Sequence, residues 1–329
     1  MCTAITYKTK DLYFGRTLDY EVSYGERVVV TPRNFVLNFR KLQPLRKHYA
    51  IIGMATVADD YPLYFEATNE KGLSMAGLNF PKNAHYYQLD DTKDNVTPFE
   101  FIPWVLGQCA DLTQVRALLQ RINLTKIPFS QDLPLSPLHW IIADSNGAIT
   151  VETLLDGMKV YENPVGVLTN NPPFDIQLFY LNNYINLSAK EPVDRFASGL
   201  TLDRYSRGMG GLGLPGDLSS ASRFVRATFT KLNSVSGTGE AESISQFFHI
   251  LGAVTQQRGC AILGEEKYEI TRYTSCCNTD RGIYYFTTYE NSRICGVNMH
   301  DCDLSTDFLY EFMLPIEQDV CMINMLRRK

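Results

Sequence analysis

Strand-like stretches fall in three blocks, at the start, in the middle and near the end of this chain, helical patterns lie between them, and regular strand–helix–strand alternation is missing. That order restricts the fold more than any other feature, because a doubly wound parallel sheet needs a crossover helix after nearly every strand. Residues 3–8 and 12–17 read as two short strands joined by a polar turn around Lys8 to Asp11, which places Cys2 at a strand end. Val28 to Val30, 51–57, 64–67 and 73–78 continue the sheet pattern, with Asn69-Glu70-Lys71-Gly72 as a turn. Residues 138–144, Ser145-Asn146-Gly147 and 148–154 read as a hairpin, and strands run on through 158–161 and up to Leu168. Tyrosine-rich short strands return over 268–299.

Helices interrupt this pattern at a few marked places. Thr97-Pro98-Phe99-Glu100 predicts a helix with Thr97 as N-cap, soon perturbed by Pro103. Asp111 opens a second, with Val115, Leu118, Leu119 and Ile122 on one face. Residues 174–184 read as helical, another helix starts near Ser222 with Arg223 in its first turn, and Ser243-x-x-Gln246 opens the last. The glycine-rich stretch 206–217 is not followed by Gly-Lys-Ser/Thr, so it reads as a shaped surface loop beside a site rather than a phosphate loop. The order sheet, helices, sheet, helices, sheet fits a mostly antiparallel pair of sheets with helices outside. No repeat or linker divides the chain, so residues 1–329 are expected to form one domain.

At 329 residues and 45% hydrophobic the chain can bury a sizeable core. Its formal net charge of −5 and lack of a basic run argue against nucleic-acid binding. No signal-peptide pattern or apolar run of spanning length is read, so no membrane partner and a cytoplasmic location are expected. Eight cysteines without a Cys-x-x-Cys pair and five scattered histidines suggest neither a disulfide scaffold nor a metal site, and no cofactor is expected.

Cys2 is the candidate for chemistry. Removal of Met1 would leave a thiol and a free α-amine on one residue, a nucleophile beside a base whose reference pKa is about 7.7–8.0. The dipeptide alone does not separate this from a cysteine that merely follows the start. Arg16 and Asp19, at the end of the second strand, are each an ordinary salt-bridge member if taken singly. Asn79, after an apolar strand, and Asn170, before Asn171-Pro172-Pro173, are equally turn residues. Arg223 could be a helix-surface arginine.

Together these stretches resemble a family. Met1-Cys2-Thr3, Phe14-Gly15-Arg16-Thr17-Leu18-Asp19, Asn69-Glu70-Lys71-Gly72-Leu73, Ala76-Gly77-Leu78-Asn79-Phe80-Pro81, Gly166-Val167-Leu168-Thr169-Asn170-Asn171-Pro172, Leu214-Pro215-Gly216-Asp217, Ser222-Arg223-Phe224, Tyr273-Thr274-Ser275-Cys276 and Thr287-Thr288-Tyr289-Glu290-Asn291 occur in order. The chain is similar to the choloylglycine hydrolases, the bile salt hydrolases and penicillin V acylases among the N-terminal nucleophile hydrolases, over roughly residues 1–300. The resemblance implies an α+β fold, a four-layer αββα sandwich of two antiparallel sheets between helical layers, as a single catalytic domain. It implies Cys2 as nucleophile with its own α-amine as proton acceptor, Asp19 hydrogen-bonded to that amine, and Arg16 beside the thiol. Asn79 and Asn170 would donate to the oxyanion, and Arg223 would add positive charge at the same end. It also implies a homo-oligomer, a tetramer.

The substrate implied is an amide joining a large apolar acyl group to a small acid: a glycine- or taurine-conjugated bile salt, with Arg16, Asn79, Tyr20, Tyr24 and Phe65 binding it. The three aromatic residues are otherwise core or surface aromatics. The alternatives are a penicillin V or N-acyl homoserine lactone acylase and, in another class, a catalytically dead binding protein on the same fold. The tail after about residue 303 departs from the family's pattern, which leaves its C-terminal strand open.

Overall fold

The computed structural model describes residues 1–325. Strands β1 (Cys2–Lys8) and β2 (Leu12–Tyr20) form the expected hairpin, and β2 runs three residues past the apolar stretch that announced it. Next come β3 (Arg27–Thr31), β4 (Ile51–Ala58), β5 (Tyr61–Asn69) and β6 (Ser74–Asn79). Gly72, at φ +86°, closes the turn between the last two, a backbone setting that favours glycine. A short parallel pair, β7 (Asp94–Val96) and β8 (Ile122–Leu124), brackets helices α1 (Phe101–Gln108) and α2 (Leu112–Leu119). The chain then forms β9 (Leu138–Asp144), β10 (Gly147–Leu154), β11 (Gly157–Glu162) and β12 (Val167–Leu168). Helices α3 (Phe174–Tyr180), α4 (Ser220–Asn233) and α5 (Glu240–Gly252) follow. An exposed hairpin of β13 (Ile262–Gly264) and β14 (Lys267–Tyr268) leads into β15 (Ile270–Asn278), β16 (Ile283–Thr288), β17 (Cys295–Asn298) and β18 (Tyr310–Met313).

Two antiparallel sheets result. One has the order β12-β1-β2-β15-β16-β17, the other β11-β10-β9-β6-β5-β4-β3-β18. The strands of the larger sheet are apolar on both faces, and the alternation shows why. Val28, Val30, Ile52, Met54, Leu78, Ile141 and Ala143 share a core with the smaller sheet. Their neighbours Val29, Ile51, Met75, Trp140 and Ile142 pack with Phe101, Trp104, Val105 and Val115 of α1 and α2. On the far side α4 lies on β1 and β12, and α5 on β2 and β15. The layers are therefore helix, sheet, sheet, helix, as the resemblance implied.

Some expected boundaries shift for physical reasons. The N-cap of α1 is Glu100 rather than Thr97. The Glu100 carboxylate does accept the Thr97 N–H (3.0 Å), half of the expected capping box, and the Arg40 N–H (2.5 Å). The Thr97 hydroxyl returns no bond, however, and residues 98–100 form a turn ahead of the helix. Pro103 is the third residue of α1, where no intrahelical N–H bond is needed, and the helix passes through it. Ile122 belongs to β8 instead of the helical face. Helix α5 starts at Glu240, three residues before Ser243. The Ser243 hydroxyl is buried inside the helix against the Gly239 carbonyl (2.9 Å) and Thr9 Oγ1 (2.8 Å). The atypical tail supplies β18, which pairs with β3 and forms the edge of the larger sheet. Residues 326–329 of that tail lie outside the described residues. Among the described residues no helix is long and apolar enough to cross a membrane.

Candidate active site

The β1–β2 hairpin sets the site by alternation. Cys2 pairs with Leu18, Ala4 with Arg16 and Thr3 with Thr17. Cys2 and Arg16 thus share one face of the ribbon, while Thr3, Thr17 and Asp19 share the other. Gly15 lets β15 come this close, since a Cβ there would stand 2.0 Å from the Ser275 carbonyl oxygen. Arg272 is an extra residue in β15, between Thr271 opposite Asp19 and Tyr273 opposite Leu18. This bulge lets Thr271 and Tyr273 serve two different carboxylates. Thr271 Oγ1 donates to Asp19 Oδ1 at 2.7 Å, and Tyr273 OH donates to Glu66 Oε2 at 2.7 Å.

On the inter-sheet face, Arg16 is 1% exposed. Its Nη1 donates to the carbonyls of Gly77 (2.5 Å) and Phe65 (3.3 Å), its Nε donates to the Thr17 carbonyl (3.2 Å), and Glu66 Oε2 lies 3.8 Å from Nε. Burial works against the Arg16 charge, but Cys2, Tyr273, Glu66 and Asp19 together outweigh it and hold its pKa above the ordinary arginine value. Tyr284 OH closes on the other oxygen of Glu66, whose carboxyl burial pushes up and Arg16 pulls back.

On the helical face, the guanidinium of Arg223, completely buried, holds four acceptors. Nε donates to the Leu218 carbonyl (3.0 Å), Nη1 to the Cys2 carbonyl (2.5 Å) and Thr3 Oγ1 (2.7 Å), and Nη2 to Asn170 Oδ1 (2.7 Å). Asp19 Oδ2 is 3.9 Å from Nη1. Burial pushes the Asp19 carboxyl above its ordinary value, while Arg223, the terminal amine and the two threonine hydroxyls oppose that shift.

Asn170 connects the pieces. Its Oδ1 accepts the Cys2 N–H at 2.9 Å, and its Nδ2 donates to the Asn79 carbonyl at 2.7 Å. This differs from the oxyanion role expected for Asn170: its amide is engaged with Cys2 N and the Asn79 main chain. Asn79 does line the cavity beside Cys2. Met1 is present, so Cys2 N is a peptide nitrogen. The Met1 amine donates to the Asp19 carbonyl oxygen (2.6 Å) and meets the Glu269 carboxylate.

Cys2, Arg16, Asp19 and Asn79 border a cavity of about 570 Å³, within the range of small-molecule sites, about 300–1,000 Å³. Its other walls are mostly apolar: Leu18, Tyr20, Tyr24, Leu63, Phe65, Pro98, Phe99, Ile102, Phe129 and the run from Leu133 to Leu138. Tyr20, Tyr24 and Phe65 form a chain of rings, with centroids 5.2 and 6.1 Å apart. The glycine-rich loop lies elsewhere. It is exposed and leads into the Asp217 contacts that hold the start of α4, with Ser222 Oγ donating to Asp217 Oδ2 at 2.5 Å. Arg223 and Asn170 do not line the cavity and act behind Cys2. Among the described residues no group of His, Cys, Asp or Glu could hold a metal ion.

Sequence reasoning missed Glu66, Thr271 and Tyr273. The signal available was a lone glutamate, Glu66, inside an otherwise apolar strand, a position that demands a buried partner.

Comparison with known proteins identifies the family. The profile of the linear amide C–N hydrolases, choloylglycine hydrolase family, matches residues 2–312. A bile salt hydrolase/transferase of Lactiplantibacillus plantarum is 54% identical, covering 98% of this chain and 100% of its own. A second, from Clostridium perfringens, is 38% identical over 91% and 93% of the two chains. The crystal structure of a variant of conjugated bile acid hydrolase from Clostridium perfringens superposes with a TM-score of 0.91 at 35% identity, covering 98% of this chain and 100% of that one. A penicillin V acylase structure from Agrobacterium tumefaciens shares the fold, with a TM-score of 0.73 at 20% identity over 94% and 90% of the chains. A matched profile spanning nearly the whole chain, and a fold that puts Cys2 at the first strand's end against an apolar cavity, place this protein in the choloylglycine hydrolase family of linear amide C–N hydrolases.

Proposed function

We propose that the protein hydrolyses the amide of glycine- or taurine-conjugated bile salts, with Cys2 as nucleophile once Met1 has been removed. The observation that carries this reading is Cys2 on the wall of an aromatic-lined cavity, its nitrogen held by Asn170 and no histidine among the lining residues. In the mature chain that nitrogen is the α-amine. It takes the thiol proton as sulfur attacks the amide carbon, and Asn79 donates to the oxygen that becomes negative. When the tetrahedral species collapses, the ammonium returns the proton to the departing glycine or taurine nitrogen. A thioester to Cys2 remains, and water, deprotonated by the same amine, releases the free bile acid. Arg16 supplies fixed positive charge next to the sulfur, and Asp19 and Arg223 hold the hairpin end that carries it. Tyr20, Tyr24 and Phe65 cover the apolar acyl group, which rings can bury with few hydrogen bonds.

The test combines intact mass with turnover. Mass one methionine short of the full chain, together with faster hydrolysis of taurocholate or glycocholate than of penicillin V, is the expected result. Cys2→Ser should lower kcat by at least about 10³-fold with the fold unchanged, and near-normal turnover of that variant would overturn the nucleophile assignment. Preference for penicillin V or for N-acyl homoserine lactones would redirect the substrate class.

We further propose a homo-oligomer, a tetramer on the family pattern, acting in the cytoplasm. Exposed Phe179, Ile185, Phe196 and Tyr205 support the first, and eight free cysteines support the second. Light scattering of the purified protein tests the oligomer.

A further inference from the structure

Behind the two asparagines lies a buried pair that the reaction scheme does not use. His139 on β9 and Glu152 on β10 are both fully buried, with Nδ1 and Oε1 at 2.9 Å. The other ring nitrogen, Nε2, is 2.9 Å from the Thr169 carbonyl oxygen. A carbonyl can only accept, so Nε2 carries a hydrogen and donates it. That fixes the ring's orientation, with Nδ1 facing Glu152 Oε1. Glu152 Oε1 is held in turn by the Phe174 N–H at 3.0 Å.

What this imidazole touches is informative. Thr169 immediately precedes Asn170. The Phe80 ring, immediately after Asn79, lies flat on the imidazole with centroids 4.2 Å apart and planes 5° from parallel. One ring therefore grips the neighbours of both site asparagines, by a hydrogen bond on one side and by a stacked face on the other. Asn170 Nδ2 bridges the same two segments directly through the Asn79 carbonyl. The Thr169 hydroxyl adds bonds to Gln177 Oε1 (2.7 Å) and to the Ser220 carbonyl (3.1 Å), so the Thr169 carbonyl is the one group of this corner held only by His139.

We infer that His139, oriented by Glu152, is a positioning residue that holds the Asn79 and Asn170 segments in register beside Cys2. It touches neither the cavity nor the thiol, and acts through the asparagines. The inference rests on the reaction proposed above for those asparagines. A displacement on the order of 1 Å in such a constellation costs about 10²-fold in rate.

The experiment compares His139→Phe, which keeps a flat ring on Phe80 but loses both polar bonds, with His139→Gln, whose amide can still donate to the Thr169 carbonyl. With taurocholate, His139→Phe should lose about 10–100-fold in kcat with KM changed less than about threefold, and His139→Gln should recover most of that loss. Hydrogen exchange followed by mass spectrometry supplies a readout independent of substrate. Peptides spanning residues 166–172 should exchange faster in His139→Phe than in wild type or His139→Gln. Wild-type kcat and exchange in His139→Phe would overturn the inference. So would equal kcat losses in both variants, or a change confined to KM. If the wild type itself fails to hydrolyse conjugated bile salts, the proposed function fails, and the exchange comparison still decides whether the brace exists.

Discussion

Two buried arginines flank Cys2, one on each face of the β1–β2 ribbon. Each bonds neutral acceptors with a carboxylate 3.8 or 3.9 Å away, but they differ in access to the cavity and in how their surroundings treat the charge. Arg16, between the sheets, borders the cavity, has the Glu66 carboxylate 3.8 Å from its Nε, and its pKa is held above the ordinary arginine value. Arg223, on the helical side, gives its hydrogen bonds to two carbonyls, a hydroxyl and an amide oxygen. Its charge is penalised by burial, with Asp19 and Cys2 as partial relief, and its pKa lies below the ordinary arginine value. Both carry the same group, yet Arg16 acts as a charge and Arg223 as a clasp with four-way geometry. A guanidinium suits either use, because its donors are planar and fixed.

Substitution should separate the two. The largest effect is expected at position 16. Arg16→Gln should lower kcat/KM by about 10²–10³-fold and, by leaving Glu66 without its cation, destabilise the fold by about 3–5 kcal/mol in denaturant titration. Arg16→Lys, which keeps the charge, should retain clearly more of both. At position 223 charge should matter little. Arg223→Lys and Arg223→Gln should fall by a similar amount, about 10–100-fold in kcat, since neither side chain can span all four acceptors. A lysine that rescues position 223 as well as position 16 would break the distinction.

A smaller effect is expected on the substrate side. Tyr24→Ala removes part of the ring chain and should raise KM for taurocholate by about 5–10-fold with kcat nearly unchanged, which corresponds to roughly 1–1.5 kcal/mol of lost apolar contact. A fall in kcat instead would place Tyr24 with the reacting groups.

The smallest effect is in stability. Because burial raises the Asp19 carboxyl above its ordinary 3.8, its contribution to stability is full below that value and is lost as pH rises through the folded-state value. Asp19→Asn has no such titration. The stability of Asp19→Asn relative to wild type should therefore rise with pH from below 3.8 upward and then level off, even as hydrolysis is lost. A difference that falls over that range would show that the threonine hydroxyls and Arg223 dominate the environment of Asp19.

Much of the framework was legible because it is local. The hairpin at Cys2 follows from apolar stretches around a polar turn, and the Asp111 cap of α2 is real, with Oδ1 accepting the Gln114 N–H at 2.9 Å. Where local signals competed, the sequence misled. Ser243 looks like a cap but spends its hydroxyl inside α5. Thr97 looks like a cap and does give its N–H to Glu100, but its hydroxyl caps nothing and the helix starts only after Glu100, whose carboxylate also answers Arg40 from a segment sixty residues earlier in the chain.

The sequence by itself determined most of the longer strands and helices, though not the short β7, β8, β13 and β18, and, through the resemblance carried by its motifs, the family. Periodicity, caps and turns act over a few residues, and motifs are matched by identity alone. Only the tertiary structure decided what the residues around Cys2 do with their donors and acceptors. Asn170, separated from Cys2 by 168 positions, is spent on the Cys2 nitrogen and the Asn79 carbonyl. Glu66 counters Arg16, and a bulge in β15 splits Thr271 and Tyr273 between two carboxylates. Such assignments depend on which face of which strand meets which neighbour. That is set by register and by layer packing across the whole chain, and no short stretch of sequence contains it.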